Sequence, residues 1–94
     1  MTPTEKRVAY KVDQVLARVR EELFKACMKH RGMASPHEGI SVIREEVDEL
    51  WEEVKIDEGG GQLAIKEALQ IAAMGARYVM DLENKSEATY NRTA

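Results

Sequence analysis

Residues 45–53 have the sequence Glu-Glu-Val-Asp-Glu-Leu-Trp-Glu-Glu, in which six of the nine residues are carboxylic acids. At 100° per residue, the apolar residues in and around this stretch fall on one face of a helix. This face comprises Ile40, Ile43, Val47, Leu50, Trp51 and Val54. Glu46, Glu49 and Glu53 lie along one border of it. Carboxylates one turn apart at the edge of a core-facing surface repel each other and resist desolvation, which favours a cation beside them.

An ordinary solvated acidic surface is the alternative interpretation of this helix. A further carboxylate, Glu67, favours the cation because it belongs to a later and otherwise strongly apolar helix. Two facing helices that each offer acids to a shared cleft are a known way to hold Mg²⁺ or Mn²⁺ in a helical bundle. We therefore expect a metal site between the second and third helices.

The composition favours one all-α domain. The chain has 94 residues, two prolines and 5% aromatic residues, and helix-forming residues dominate it. Its net charge of −3 argues against nucleic-acid binding, and no apolar run approaches the roughly 20 residues that span a bilayer. A single cysteine, Cys27, fits a reducing compartment, so we expect a cytoplasmic protein without membrane or nucleic-acid partners.

Local signals divide the chain into three helices. Thr2 and Ser35 are each followed by a proline and, three positions on, by a glutamate, which predicts two N-caps. Gly32 is expected to end the first helix, and the glycines at 59–61 to separate the second from the third. We expect helices at about 3–31, 36–55 and 62–83 in a single domain of residues 1–84, followed by a flexible tail over residues 85–94.

The apolar patterns of the first and third helices differ. The first helix has one stripe at steps of three and four, formed by Val8, Val12, Val15, Val19, Leu23, Ala26 and His30. The third helix is apolar on two opposite sides, and the second of these carries Leu69, Ala73, Ala76 and Met80. A helix that is apolar on both sides must be covered on both sides. We therefore expect a bundle of three main helices per chain that is completed by oligomerisation, as a homodimer or homotetramer.

The acidic residues form a recognisable pattern. Glu45-Glu46-x-x-Glu49, followed after seventeen residues by Glu67-x-x-Gln70, resembles the E-E-x-x-E … E-x-x-D signature of the MazG-like nucleoside triphosphate pyrophosphohydrolases. The resemblance covers roughly residues 35–82 and is closest to the short, single-domain members of that family.

The resemblance implies an all-α, Mg²⁺-dependent enzyme that hydrolyses an NTP or dNTP to the monophosphate and pyrophosphate, with Mn²⁺ as a possible substitute metal. By position, it implies that the metal ligands are Glu46, Glu49, Glu67 and Gln70. Glu45 completes the motif, and Glu45 or Glu49 is the candidate to accept a proton from the attacking water. Lys and Arg residues should meet the remaining phosphate charge, and the candidates are Lys55, Lys66 and Arg77.

Gln70 stands where the family pattern has Asp. Its amide oxygen is able to bind Mg²⁺ but supplies no charge. This departure favours the alternative function, which is a catalytically degenerate nucleotide-binding protein or a helical oligomeric interaction protein. The glutamates at positions 46, 49 and 67 favour the enzyme.

Overall fold

The computed structural model describes the backbone of residues 1–57 and 60–93 and the side chains of residues 1–56 and 60–83. Three α-helices account for nearly all of the described chain, and these residues contain no strand. They are α1 (Pro3–Lys29), α2 (Pro36–Asp57) and α3 (Gln62–Thr93). The all-α fold expected from the composition is therefore confirmed. No helix within the described residues combines the length and apolarity needed to cross a bilayer.

Both predicted N-caps are present. The Thr2 hydroxyl accepts a hydrogen bond from the Glu5 backbone N–H at 3.1 Å, and the Glu5 carboxylate accepts one from the Thr2 N–H at 2.9 Å. At α2, the Ser35 hydroxyl accepts from the Glu38 N–H at 3.1 Å. These side chains satisfy backbone donors that the first turn of a helix leaves without a partner.

The helix ends differ from the expected ones. α1 ends at Lys29 rather than at residue 31, because His30 adopts an extended backbone conformation. α2 continues to Asp57, slightly beyond the expected residue 55. The backbone of α3 is helical to Thr93, whereas the sequence predicted an end near Glu83. The helical repeat of apolar residues does stop near Glu83. Residues 84–93 contain no glycine or proline, however, so no stop signal ends the helix.

α3 lies between the other two helices and packs against both, while α1 and α2 do not pack against each other within the described residues. Glu22 contacts Gln70, and the His30 carbonyl contacts Arg77, so α1 runs parallel to α3. α2 runs antiparallel to α3, because Gly39 lies against Tyr78 near one end and the glutamates of α2 meet Glu67 near the other. A groove therefore runs between α1 and α2, with α3 as its floor.

The core is small and lies where the three helices meet. Its buried apolar residues are Met33, Ala73, Met74 and Leu82, and the half-buried side chains around them are Val19, Leu23, Ala26, Val42, Ile43 and Tyr78. Ala73 is fully buried, although the sequence assigned its side of α3 to another subunit. That assignment was wrong for Ala73, since this core with α1 residues around it already covers the position. The oligomer itself stays a prediction.

A buried ion pair fixes the connection between α1 and α2 onto α3. Arg77 bonds Asp81 at 3.1 Å and the His30 carbonyl at 2.9 Å, and Asp81 accepts from the Met33 N–H at 2.8 Å. Gly32 lies against the Asp81 carboxylate, where a Cβ atom would be 3.0 Å from Oδ2. These contacts set the position of α2 relative to α3, and hence the geometry of the acidic cluster described next.

Candidate metal centre

The acidic stretch lies in the middle of α2, on the side that borders α3. Glu46 is half-buried and Glu49 is exposed. Because they are three residues apart in a helix, their side chains extend from the same side of α2. The local sequence alone thus brings two carboxylates together.

The prediction that the neighbouring apolar face is turned to the core was wrong for Ile40, Val47 and Trp51, which are 42–58% exposed. The α2 residues that pack against the core are Val42 and Ile43.

The third carboxylate comes from α3. Glu67, which is half-buried, reaches the two glutamates of α2 because the helices run antiparallel. One carboxylate oxygen from each of Glu46, Glu49 and Glu67 lies within 4.8 Å of the other two. The structure therefore brings together three of the four metal ligands implied by the sequence.

The proximity of these groups disturbs their ionisation. The pKa of Glu46 is raised from 4.5 to about 7, mainly by burial, then by its hydrogen bond to Glu67 and by the charges of Glu49 and Glu67. The pKa of Glu67 is also raised, mainly by burial. Hydrogen bonding between Glu46 and Glu67 has opposite effects on the two pKa values, as expected when Glu46 carries a proton that they share.

Two oxygens of the cluster have no donor when the acids are ionised. Oε2 of Glu46 and Oε2 of Glu67 are both buried, and apart from the proton that the two glutamates share, no described residue donates a hydrogen bond to either oxygen. A buried acceptor without a donor is costly, and an ionised one more so. Hard carboxylate oxygens in this arrangement fit a small divalent cation such as Mg²⁺, which would neutralise charge and occupy these acceptors.

Gln70, the fourth implied ligand, forms a hydrogen bond to a residue of α1. Its side-chain amide donates a hydrogen bond to the Glu22 carboxylate at 2.5 Å. Glu22 is a residue of the groove that the sequence interpretation missed. A signal was present, because Glu22 lies three positions after Val19 and four before Ala26, at the border of the α1 stripe.

The groove beside the cluster has a volume of about 1030 Å³. Glu45, one of the two candidate proton acceptors, lines the groove together with Glu46 and Gln70, whereas the other candidate, Glu49, does not. Basic side chains line it as well, namely Lys25, Lys29, Arg31, Lys66 and Arg77. The groove therefore presents acidic groups and basic groups to the same space.

The three predicted phosphate-binding residues lie in different surroundings. Lys66 lines the groove. Lys55 instead bonds Glu52 at 2.9 Å, and its ammonium lies 5.8 Å from the centre of the Trp51 ring. Arg77 lines the groove but is buried and bonded to Asp81, which favours a structural role. The basic residues of α1 in the groove were not predicted, because sequence spacing does not reveal which helices face each other.

Comparison with protein-family models, curated proteins and solved structures finds no match to this chain. The resemblance to the MazG-like family therefore stays a prediction from the motif, and the function must be argued from the geometry of the site.

Proposed function

We propose that the protein is a divalent-metal-dependent nucleotide pyrophosphohydrolase, which converts an NTP or dNTP to the monophosphate and pyrophosphate. The observation that carries the proposal is the convergence of Glu46, Glu49 and Glu67 from two helices, with two buried oxygens lacking donors. The motif formed by these residues resembles that of the MazG-like family, which supports the same activity.

Mg²⁺ is the proposed cofactor, with Mn²⁺ as a substitute, and Glu46, Glu49 and Glu67 would hold it. When bound, such an ion offsets carboxylate and phosphate charge and makes a coordinated water more acidic. A triphosphate carries about four negative charges, so a site lined by carboxylates attracts it only with cations present. Gln70 is able to contribute an amide oxygen but no charge.

The chain's own residues supply the remaining functions. Glu45 and Glu49 are both exposed, and a carboxylate that is free of the metal is suited to accept the proton of an attacking water. Lys66 and the basic residues of α1 line the groove, where they would neutralise phosphate oxygens that the metal does not reach. The groove volume of about 1030 Å³ is at the upper end of the range for small-ligand sites.

A second candidate function rests on Gln70. Gln70 supplies no charge, and if its bond to Glu22 has a structural role, the cluster also lacks a fourth ligand. In that case the protein binds a nucleotide without cleaving it or acts as a helical interaction module. We further propose a cytoplasmic location, on the single Cys27, and assembly as a homodimer or homotetramer.

The proposal is tested by product analysis. The purified protein is incubated with each common NTP and dNTP plus Mg²⁺, and pyrophosphate is separated from orthophosphate. We expect pyrophosphate and a monophosphate from the wild type, and a loss of at least a hundredfold in rate in Glu49→Gln. Glu52→Gln on the outer side of α2 is the matched control and should keep the wild-type rate.

Orthophosphate with a diphosphate would mean that a different bond is cut. Nucleotide binding without any cleavage would favour the degenerate binder, and no binding at all would leave only the interaction module.

A further inference from the structure

The hydrogen bond between Gln70 and Glu22 joins the candidate metal centre to α1. Gln70 follows Glu67 by three residues in α3, so the two side chains extend from the same side of that helix. Gln70 also lines the groove together with Glu46. Its side-chain nitrogen donates to Oε2 of Glu22 at 2.5 Å, and both residues are half-buried. This contact connects a candidate metal ligand with a carboxylate that the motif does not include.

A glutamine side chain is a metal ligand in only one of its two orientations. Its oxygen is an acceptor that is able to bind a hard cation, whereas its NH2 group is a donor. A half-turn about the last side-chain bond exchanges the two groups within the same shape. A glutamine that nothing restrains therefore presents the wrong group to a cation part of the time. An aspartate, which has two oxygens, does not.

Glu22 decides between these two orientations of Gln70. A carboxylate only accepts hydrogen bonds, so it binds the amide through the NH2 group and repels the amide oxygen. The oxygen of Gln70 is consequently on the other side of the carboxamide group. A hydrogen bond to a charged acceptor is also stronger than a neutral one and polarises the donor group, which places more negative charge on the amide oxygen. Both effects make this oxygen a better ligand.

Glu22 is also the acid of its helix that is turned inward. Its Oε1 atom lies 3.9 Å from the Lys25 ammonium, which is one turn further along α1. The neighbouring Glu21 lies 3.4 Å from the same ammonium, but its side chain is 67% exposed, against 23% for Glu22. The charge that the motif has at position 70 is therefore present one hydrogen bond away, on α1.

We propose that Glu22 is a positioning residue of the metal centre, which orients Gln70 so that its amide oxygen binds the divalent cation held by Glu46, Glu49 and Glu67. The inference rests on the metal centre proposed above and adds to it a residue of α1 that acts through Gln70 without touching the ion. Hydrogen bonds to the ligands of a metal typically change its affinity by a factor of about 10–100.

Titration with Mn²⁺, followed by electron paramagnetic resonance, tests the role of Glu22. Glu22→Met removes the charge and the acceptor with little change in shape, and should weaken binding about tenfold. Glu22→Gln removes the charge but keeps an acceptor, so it should retain most of the wild-type affinity. Glu21→Gln removes a charge beside the same Lys25 and is the matched control, with unchanged affinity. In a Gln70→Met background, Glu22→Met should have no further effect, because Glu22 acts through Gln70.

The failure of this inference is distinguishable from the failure of the metal centre. If Glu22→Met binds Mn²⁺ as the wild type does while Glu67→Gln binds it more weakly, the metal centre stands and the role of Glu22 is refuted. Equal losses in Glu22→Met and Glu22→Gln, or a loss that persists in the Gln70→Met background, would show that Glu22 acts directly by its charge and would also overturn the inference. A wild type that binds no Mn²⁺ would overturn both proposals.

Nuclear magnetic resonance of the ¹⁵N-labelled wild type observes the amide itself. The side-chain NH2 resonance of Gln70 is identified by its absence from Gln70→Met. Addition of Mg²⁺ should shift this resonance, because the oxygen of the same amide binds the ion, while the proton bonded to Glu22 should stay protected from exchange with water. A resonance that does not respond when Mg²⁺ binds, or a proton that loses its protection, would overturn the inference.

Discussion

Replacing Glu46 by Gln in the metal-free protein should stabilise it at pH 8. The substitution keeps the shape of the side chain and removes the charge that burial and the neighbouring carboxylates oppose. A pKa raised from 4.5 to about 7 sets an upper limit of about 3 kcal/mol on the unfavourable free energy of ionising Glu46 in the folded state. Glu46 is partly exposed, so solvent screening reduces the expected gain to roughly 1–2 kcal/mol.

The pH dependence has a definite sign. Between pH 4.5 and about 7 the unfolded chain releases the Glu46 proton while the folded chain retains it, so stability of the wild type falls as the pH rises. Below pH 4.5 Glu46 is protonated in both states and resembles Gln. The stabilising effect of Glu46→Gln should therefore be full at pH 8 and should vanish near pH 4.5.

Thermal unfolding at fixed protein concentration, with a chelator present, measures this effect. A gain of 1–2 kcal/mol corresponds to roughly 5–10 °C for a chain of this size. Glu52→Gln, on the exposed side of α2, should change the melting temperature by no more than 2–3 °C. If metal-free Glu46→Gln is less stable than the wild type at pH 8, ionisation of Glu46 is not unfavourable in the folded state, and the reasoning is refuted.

Four further outcomes are expected. In urea unfolding, Gly39→Ala should destabilise the fold by about 1–2 kcal/mol, because its Cβ would lie 2.5 Å from a ring carbon of Tyr78. Gly75→Ala should stabilise α3 by about 0.5–1 kcal/mol in the same assay, because its Cβ would meet nothing within 4 Å. Asp81→Asn should cost about 2–3 kcal/mol in the same assay, because it leaves the buried Arg77 charge without its partner. Gln70→Asp should lower the Mg²⁺ concentration for half-maximal pyrophosphate release, and an unchanged Mg²⁺ requirement would place Gln70 outside the metal shell.

Much of the fold follows from local signals in the sequence. The caps at Thr2 and Ser35 act within four residues, so the starts of α1 and α2 were predictable. The end of α3 was not, because the loss of apolar period after Glu83 removes a packing face without ending the helix. The covering of Ala73 by its own chain was also unpredictable, since it depends on which side of α3 receives α1.

The candidate site was likewise predictable where it depends on local spacing or on the motif, and not where it depends on contacts between distant residues. Glu46 and Glu49 converge because of helical spacing, and Glu67 was placed near them by a motif that joins two helices. Glu22 was missed because its bond to Gln70 joins residues far apart in the chain. Lys55 and Arg77 were named for their charge alone, and their contacts with Glu52 and Asp81 are visible only in the structure.

Direct titration with Mn²⁺, followed by the loss of its free electron paramagnetic resonance signal, tests the central claim that the three glutamates bind a divalent cation. We expect binding to the wild type at pH 8, competition by Mg²⁺, and weaker binding below pH 7 as the proton shared by Glu46 and Glu67 competes with the metal. Glu67→Gln should weaken binding at least tenfold, while the same change at the exposed Glu83 should leave it unaltered. Equal Mn²⁺ affinity in the wild type and Glu67→Gln would contradict the account, because the ion would then be bound elsewhere.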